Sequence, residues 1–219
     1  MVVGFIFFIT FIIPMICGVL AWRSHSAKAF FIGALAFVVA QVLIRLPLLG
    51  WLSYHSDTYM LWRNTMPLVF SIILGLSAAL MESCARLIGL KGLKAVTKQQ
   101  AIFFGLGHGG VEALLIVGVP MLLQPALWDS ITVVAGVERI FAMVLHVGLT
   151  LLVWLTVQTK KWRYFMMAIT LHTTVDASIG IVNTLWPHYA ILILETLLIV
   201  VSITTLYYGN KKGNEWHEI

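Results

Sequence analysis

Hydrophobic and polar positions along this chain fall in long blocks. Apolar runs of about 20 residues lie near 2–22, 29–52, 67–90, 101–123, 134–157, 164–186 and 188–208, and each can cross a ~30 Å hydrocarbon core as a helix. The breaks between them carry the polar groups: Arg23 to Ser26, Ser53 to Asn64, Lys91 to Gln100, Gln124-Pro125, Lys160-Lys161 and Pro187. The pattern predicts an all-α polytopic bundle of about seven transmembrane helices, with residues 1–219 as one membrane domain. No internal repeat, low-complexity segment or long linker interrupts it.

Composition narrows the class further. Residues AVILMFWYC make up 60% of the chain and charged residues 11%, with a mean hydropathy of +0.97. A soluble domain carries about 25% charged residues, so this chain cannot cover itself with a solvated surface. The same deficit excludes disorder and coiled coils, and the long runs exclude a β-barrel, whose strands alternate over short segments. Cys17 and Cys84 both lie inside apolar runs and suggest no disulfide.

The net charge of +5 is a topology signal and gives no reason to expect nucleic acid. Arg23 and Lys28 lie in the first connection, Lys91, Lys94 and Lys98 in the third, Lys160, Lys161 and Arg163 in the fifth, and Lys211 and Lys212 in the tail. The other connections and the N-terminus hold only Arg63. Basic residues mark cytoplasmic loops, so the N-terminus is expected outside and the C-terminus in the cytoplasm, in a bacterial plasma membrane. The first span has no basic flank or small-residue cleavage site, and Ile16 precedes Cys17, so it is expected to be retained as a helix. Trp22, Trp51, Trp62, Trp128, Trp162 and Trp186 sit near span ends, as an interfacial belt does.

Against this background the ionisable residues inside the spans stand out: Arg45, Glu82, Arg86, His108, Glu112, Glu138, Arg139, His146, His172, Asp176 and Glu195. Such groups are costly at membrane depth and face the bundle interior or a water-filled cavity. The first span has none and reads as a lipid-facing wall. At 1.5 Å per residue, Glu82, His108 and His172 lie roughly 10–13 Å below the cytoplasmic face, with His146, Glu112 and Asp176 about one turn deeper. Glu82 and Arg86, His108 and Glu112, and His172 and Asp176 are i,i+4 pairs that share a helical face. Arg139 and His146, seven apart, nearly do so. Glycines at 105, 107, 109 and 110 surround His108 and permit close backbone approach or a water-filled pocket. Arg45, Glu138 and Glu195 lie toward the outer side and read as a structural ion-pair group.

Two chemistries fit this set. In one, His108, His146 and His172 ligate zinc and Glu82 is the base toward a bound water. In the other, no metal is needed: Glu82 and His108 polarise the water, and His172 with Asp176 stabilises an oxyanion. Neither Ser83 nor Cys84 has an adjacent base to make it a nucleophile.

The ordered motifs Glu82-Ser83-Cys84-Ala85-Arg86, Phe104-Gly105-Leu106-Gly107-His108, His146 and His172-Thr173-Thr174-Val175-Asp176 resemble those of the YhfC family of bacterial intramembrane metalloproteases. That family is related to the CAAX-processing and bacteriocin-immunity (CPBP) proteases and to PrsW. The likeness covers roughly residues 80–180. Ser83 stands where the CAAX enzymes carry a second glutamate, and the arginine comes one residue early. The resemblance implies that Glu82 and His108 activate the water and that His172 and Asp176 stabilise the oxyanion. Arg86, Glu112, Glu138, Arg139 and His146 would support them.

The expected function is therefore an intramembrane peptidase acting on a membrane-associated peptide or protein, with its site open toward the cytoplasm and zinc as its possible cofactor. The rival readings are a proton-coupled carrier using the Glu/His/Asp groups as a relay, and a His-ligated haem protein. The carrier reading lacks the repeats and paired broken helices common in carriers.

Overall fold

The computed structural model describes residues 1–128 and 132–217, and every regular element among them is helical. Seven long apolar helices follow the seven predicted runs: α1 (Val2–Arg23), α2 (Ala27–His55), α4 (Pro67–Gly92), α5 (Lys98–Leu123), α6 (Val133–Thr159), α7 (Arg163–Leu185) and α8 (Ala190–His217). The polar run between α2 and α4, expected as a connection, forms a short surface helix, α3 (Asp57–Thr65). Ser56 caps it by accepting from the Tyr59 amide at 3.2 Å, and Asp57 in its first turn suits the positive end of the helix dipole. A capping box starts α5, where Thr97 and Gln100 each accept from the other's backbone amide.

Three of the long helices contain π-helical stretches: Phe8–Ile12 in α1, Val38–Arg45 in α2 and Ala113–Gly118 in α5. Each is followed within two residues by a proline, Pro14, Pro47 or Pro120. Proline lacks the amide hydrogen and crowds the carbonyl four residues earlier, and in all three cases that carbonyl lies within the π stretch. Widening the turn absorbs the clash without breaking the span. In α2 the π stretch carries Gln41 and Arg45.

Lipid tails are as apolar as leucine, so helix association in a bilayer rests on close packing and buried polar contacts. Glycine supplies the close packing here. Gly33 of α2 lies against the Phe104 carbonyl of α5, and Gly107 lies reciprocally against the Phe30 carbonyl, so a methyl group at either would overlap backbone. A Cβ at Gly105 would come within 2.6 Å of Val147 Cα, and one at Gly109 within 2.9 Å of Met143 Cα, which presses α5 onto α6. A Cβ at Gly75 of α4 would stand 2.6 Å from the Ala177 amide of α7. The glycines around His108 thus serve close backbone approach, the first of the two alternatives read from the sequence.

Helix α6 is the axis of the bundle. Its residues from Leu145 to Thr156 are all buried, consistent with an apolar sequence on every side. Trp154 donates to the Val96 carbonyl at 2.9 Å, as does Gln158, and these bonds tie the connection before α5 onto α6. The packed core sits in this half of the molecule, with Leu90, Phe104, Tyr164 and Phe165 around α6. Ten of the 14 basic side chains lie at the adjoining helix ends and connections, which we call the basic end. Helix α1 is peripheral, packing Pro14 on Gly110 of α5 and Phe5 on Gly136 of α6. The six tryptophans named above are all exposed near helix ends. Cys17 and Cys84 are free.

Gly107→Val should lower the unfolding temperature in detergent, since overpacking against backbone typically costs about 1–3 kcal/mol. Gly50→Ala, with nothing within 4 Å of the added methyl, should leave it unchanged or raise it slightly. Equal effects of the two changes in a thermal-shift measurement would refute the packing account.

Candidate functional site

The long helices bring Glu82 (α4), His108 (α5), His146 (α6) and His172 (α7) together near their midpoints, all buried. Glu82 is the hub. Its Oε2 accepts from Arg86 Nη2 at 2.9 Å and lies 2.9 Å from His108 Nε2, while its Oε1 accepts from Gln41 Nε2 at 2.5 Å. His146 Nδ1 and His172 Nε2 both stand 3.9 Å from the same Oε2. Helix packing thus removes the axial offset that sequence counting gives His146. The hub lies about ten residues from the basic ends of these helices, roughly 15 Å in, near the middle of the bilayer.

A second tier runs away from the basic end. Arg86 Nη2 donates to His146 Nδ1 at 2.6 Å. That leaves the His146 proton on Nε2, which pairs with Glu112. Glu112 accepts from Arg139 at 3.0 Å, and Arg139 also pairs with its neighbour Glu138. One polar chain therefore links Gln41, Glu82, Arg86, His146, Glu112, Arg139 and Glu138. Asp176, with its side chain 30% exposed, lies 3.4 Å from His172 Nε2.

Three sequence expectations change. Arg45 forms no ion-pair group with Glu138 and Glu195: it donates to the Gln41 side chain, the Ser77 hydroxyl and the Leu74 carbonyl at 3.1, 3.1 and 2.8 Å. Depth along a helix gives level but not azimuth, and the π stretch in α2 turns Arg45 toward α4. The compact set of ligand-capable atoms is Glu82, His108 and His146, all within 4.8 Å of one another. His172 stands beside that set, paired with Asp176. Finally, the cavity over the hub opens away from the basic end, where the expected opening was cytoplasmic. Its volume is about 440 Å³; Glu82, His146, His172 and Asp176 form its floor, and its walls rise past Ile116, Glu138 and Glu195. The packed half of α6 fills the other direction. His108 and Arg86 do not line the cavity; they lie behind Glu82 and reach it only through that carboxylate.

Gln41 was missed because the sequence reading counted only ionisable groups inside the spans. An amide in mid-span, four residues before Arg45, was the available signal. The three imidazoles pack on one another, with ring centroids 5.0 Å apart for His108–His146 and 5.7 Å for His146–His172. No porphyrin-sized slot separates either pair.

The donor set suits a divalent ion such as zinc, which takes imidazole nitrogen and carboxylate oxygen. Histidine ligands usually present their second ring nitrogen to a carboxylate, and His146 Nε2 is ion-paired with Glu112 in that way. His108 Nδ1 and His172 Nδ1 are buried without a hydrogen-bond partner. Around the cavity five carboxylates (Glu82, Glu112, Glu138, Asp176, Glu195) face three guanidinium groups (Arg45, Arg86, Arg139). Arg86 Nη2, which reaches both Glu82 and His146, is the group that competes for those donors.

The comparisons with known proteins agree with this architecture. A family model described as YhfC intramembrane metalloprotease matches residues 9–131 and 121–200. The uncharacterized membrane protein YhfC of Bacillus subtilis (strain 168) is 27% identical over 209 residues, covering 75% of this chain and 77% of that protein. No solved structure matches. With the family match extending over seven apolar helices and a buried Glu/His/His group, the chain is an integral membrane protein that belongs to the YhfC intramembrane metalloprotease family.

Proposed function

We propose that this protein is a zinc-dependent endopeptidase of the bacterial plasma membrane that hydrolyses a peptide bond of a membrane-associated substrate at the floor of the cavity. The observation that carries the reading is the buried Glu82–His108–His146 group adjoining a cavity whose floor also presents His172 and Asp176. Glu82, His108 and His146 would hold the ion, with Glu112 fixing the His146 tautomer. A zinc ion bound there supplies Lewis acidity toward a water and toward the scissile carbonyl.

The remaining chemistry falls to the chain's own residues. Glu82 already accepts from three donors, Gln41, Arg86 and His108, so it serves better as a fixed negative anchor than as a free base. His172 Nε2 faces both carboxylates at the floor. It takes the proton of the attacking water as oxygen bonds to the carbonyl carbon, and Asp176 stabilises the imidazolium. As the C–N bond breaks, His172 returns that proton to the leaving amine. A carrier would need a path past the floor, and the buried run Leu145–Thr156 supports the peptidase reading over that one.

Two measurements test this. Glu112→Gln should weaken zinc binding about 10–100-fold, the usual cost of losing a carboxylate behind a metal-ligating histidine, and His146→Ala should remove it. Equilibrium dialysis with zinc and elemental analysis would read this, and undiminished zinc in His146→Ala would overturn the ligand assignment. Asp176→Asn and His172→Gln should keep zinc content and unfolding temperature yet lose cleavage. That loss is read by mass spectrometry of new termini among membrane proteins from cells expressing each form. New termini from Asp176→Asn cells at the native level would remove the proton-handling role.

A further inference from the structure

The cavity has a direction. Apart from Phe37 of α2, the residues that line it on the helices carrying the hub lie level with the hub or farther from the basic end, and α8 adds Glu195 at its far end. Those above the floor are Arg45 and Leu46 of α2, Ile116 of α5, Glu138 of α6, Ile179 of α7 and Glu195 of α8. Below the floor the chain is solid. Val147 to Thr156 of α6 are all buried. A Cβ at Gly148 would stand 2.8 Å from the Leu206 amide of α8, and Trp154 donates to the Val96 carbonyl nearer the basic end. In the upper half α4 and α7 still pack closely at Gly75 and Gly180, but the α2 segment Leu46–His55, which contributes Leu46 to the cavity wall, buries no residue.

The walls also face two ways. Leu46, Ile116 and Ile179 line the cavity, yet they are 45%, 45% and 53% exposed on the apolar girth of the bundle. An occupant that rises past the floor along these side chains meets hydrocarbon, so an apolar peptide strand suits this wall better than a free polar peptide. The basic end, with ten of the 14 Lys and Arg side chains, is the cytoplasmic end by the distribution of charge.

From these placements we infer that substrate enters from the extracytoplasmic half of the bilayer. The substrate class is a membrane-inserted segment whose scissile bond descends to mid-membrane from the outer side. This inference rests on the peptidase reading for the word substrate. The route itself is a property of the cavity and stands whether or not cleavage occurs.

The test uses the full chain with Cys17 and Cys84 changed to Ser and one new cysteine at a time. Ser178→Cys and Glu195→Cys place a thiol on the cavity wall from two different helices, and Lys161→Cys marks the basic end. Cells are treated with a membrane-impermeant maleimide, intact or as inside-out vesicles. The expected result is labelling of Ser178→Cys or Glu195→Cys in intact cells to the extent seen after permeabilisation, with Lys161→Cys labelled only in inside-out vesicles. Wall cysteines labelled only in inside-out vesicles, or from neither side, overturn the inference, as does Lys161→Cys labelled in intact cells. Repeating the labelling in an Asp176→Asn background separates this inference from the peptidase reading: the pattern should be unchanged where cleavage is lost.

Discussion

A single carboxylate near the middle of the bilayer constrains this structure. Glu82 is 3% exposed, and an ionised carboxylate taken out of water is unfavourable by several kcal/mol unless its oxygens are hydrogen-bonded to positive or donor groups. Gln41, Arg86 and His108 meet that demand from α2, α4 and α5. The dependence is mutual. Arg86 is wholly buried, with its Nε and Nη1 unpartnered, so removing Glu82 would strand a guanidinium in hydrocarbon. That loss is worth about 3–5 kcal/mol by analogy with buried pairs. For this reason a change at Glu82 mixes folding with function, and His172 and Asp176 are the cleaner reporters of chemistry.

Convergence on that carboxylate needs helices closer than leucine side chains allow. Gly33, Gly105, Gly107 and Gly109 let α2 and α6 approach the α5 backbone. His108 can then reach Glu82, and Phe37 can pack edge-on against the His108 ring at 5.4 Å. The prolines act on the same geometry by another route. Pro47 widens α2 into a π stretch where Gln41 and Arg45 turn toward α4, and π-bulges often sit at functional sites for this reason. Sequence thus reaches the site through two local devices, a missing Cβ and a missing amide hydrogen.

The spans were legible because length and apolarity alone decide whether a segment can cross a bilayer. The helices for Glu82, His108, His146 and His172 followed from the same runs, and i,i+4 spacing correctly put Arg86 beside Glu82 and Asp176 beside His172. What a one-dimensional reading lacks is azimuth and neighbour identity. Arg45, Glu138 and Glu195 share a level, yet Arg45 turns to Gln41 and Ser77. Depth measured from loop ends also says nothing of which side of a polar layer is packed. The span that holds the run Leu145–Thr156 is not the most apolar, its mean hydropathy of 2.3 lying below the 2.6 of α1, so apolarity alone did not mark it as the packed axis.

The packed half of α6 bears on how the polar groups are arranged. A site closed toward the basic end can admit water and ions only from the side where Glu138, Asp176 and Glu195 line the cavity. Carboxylates on that path would favour a divalent cation over an anion, and in a low-dielectric cavity such an attraction is stronger than at a solvated surface. Arg139 and Arg45 temper it, Arg139 by engaging Glu112 and Glu138 and Arg45 by holding Gln41. Glu138 on that wall is thus paired with Arg139, whereas Glu195 Oε2 has no hydrogen-bond partner among the described residues. Glu82, His108 and His146 are the one place among the described residues where three ligand-capable side chains lie within 4.8 Å, so a divalent ion held by this chain would be held there.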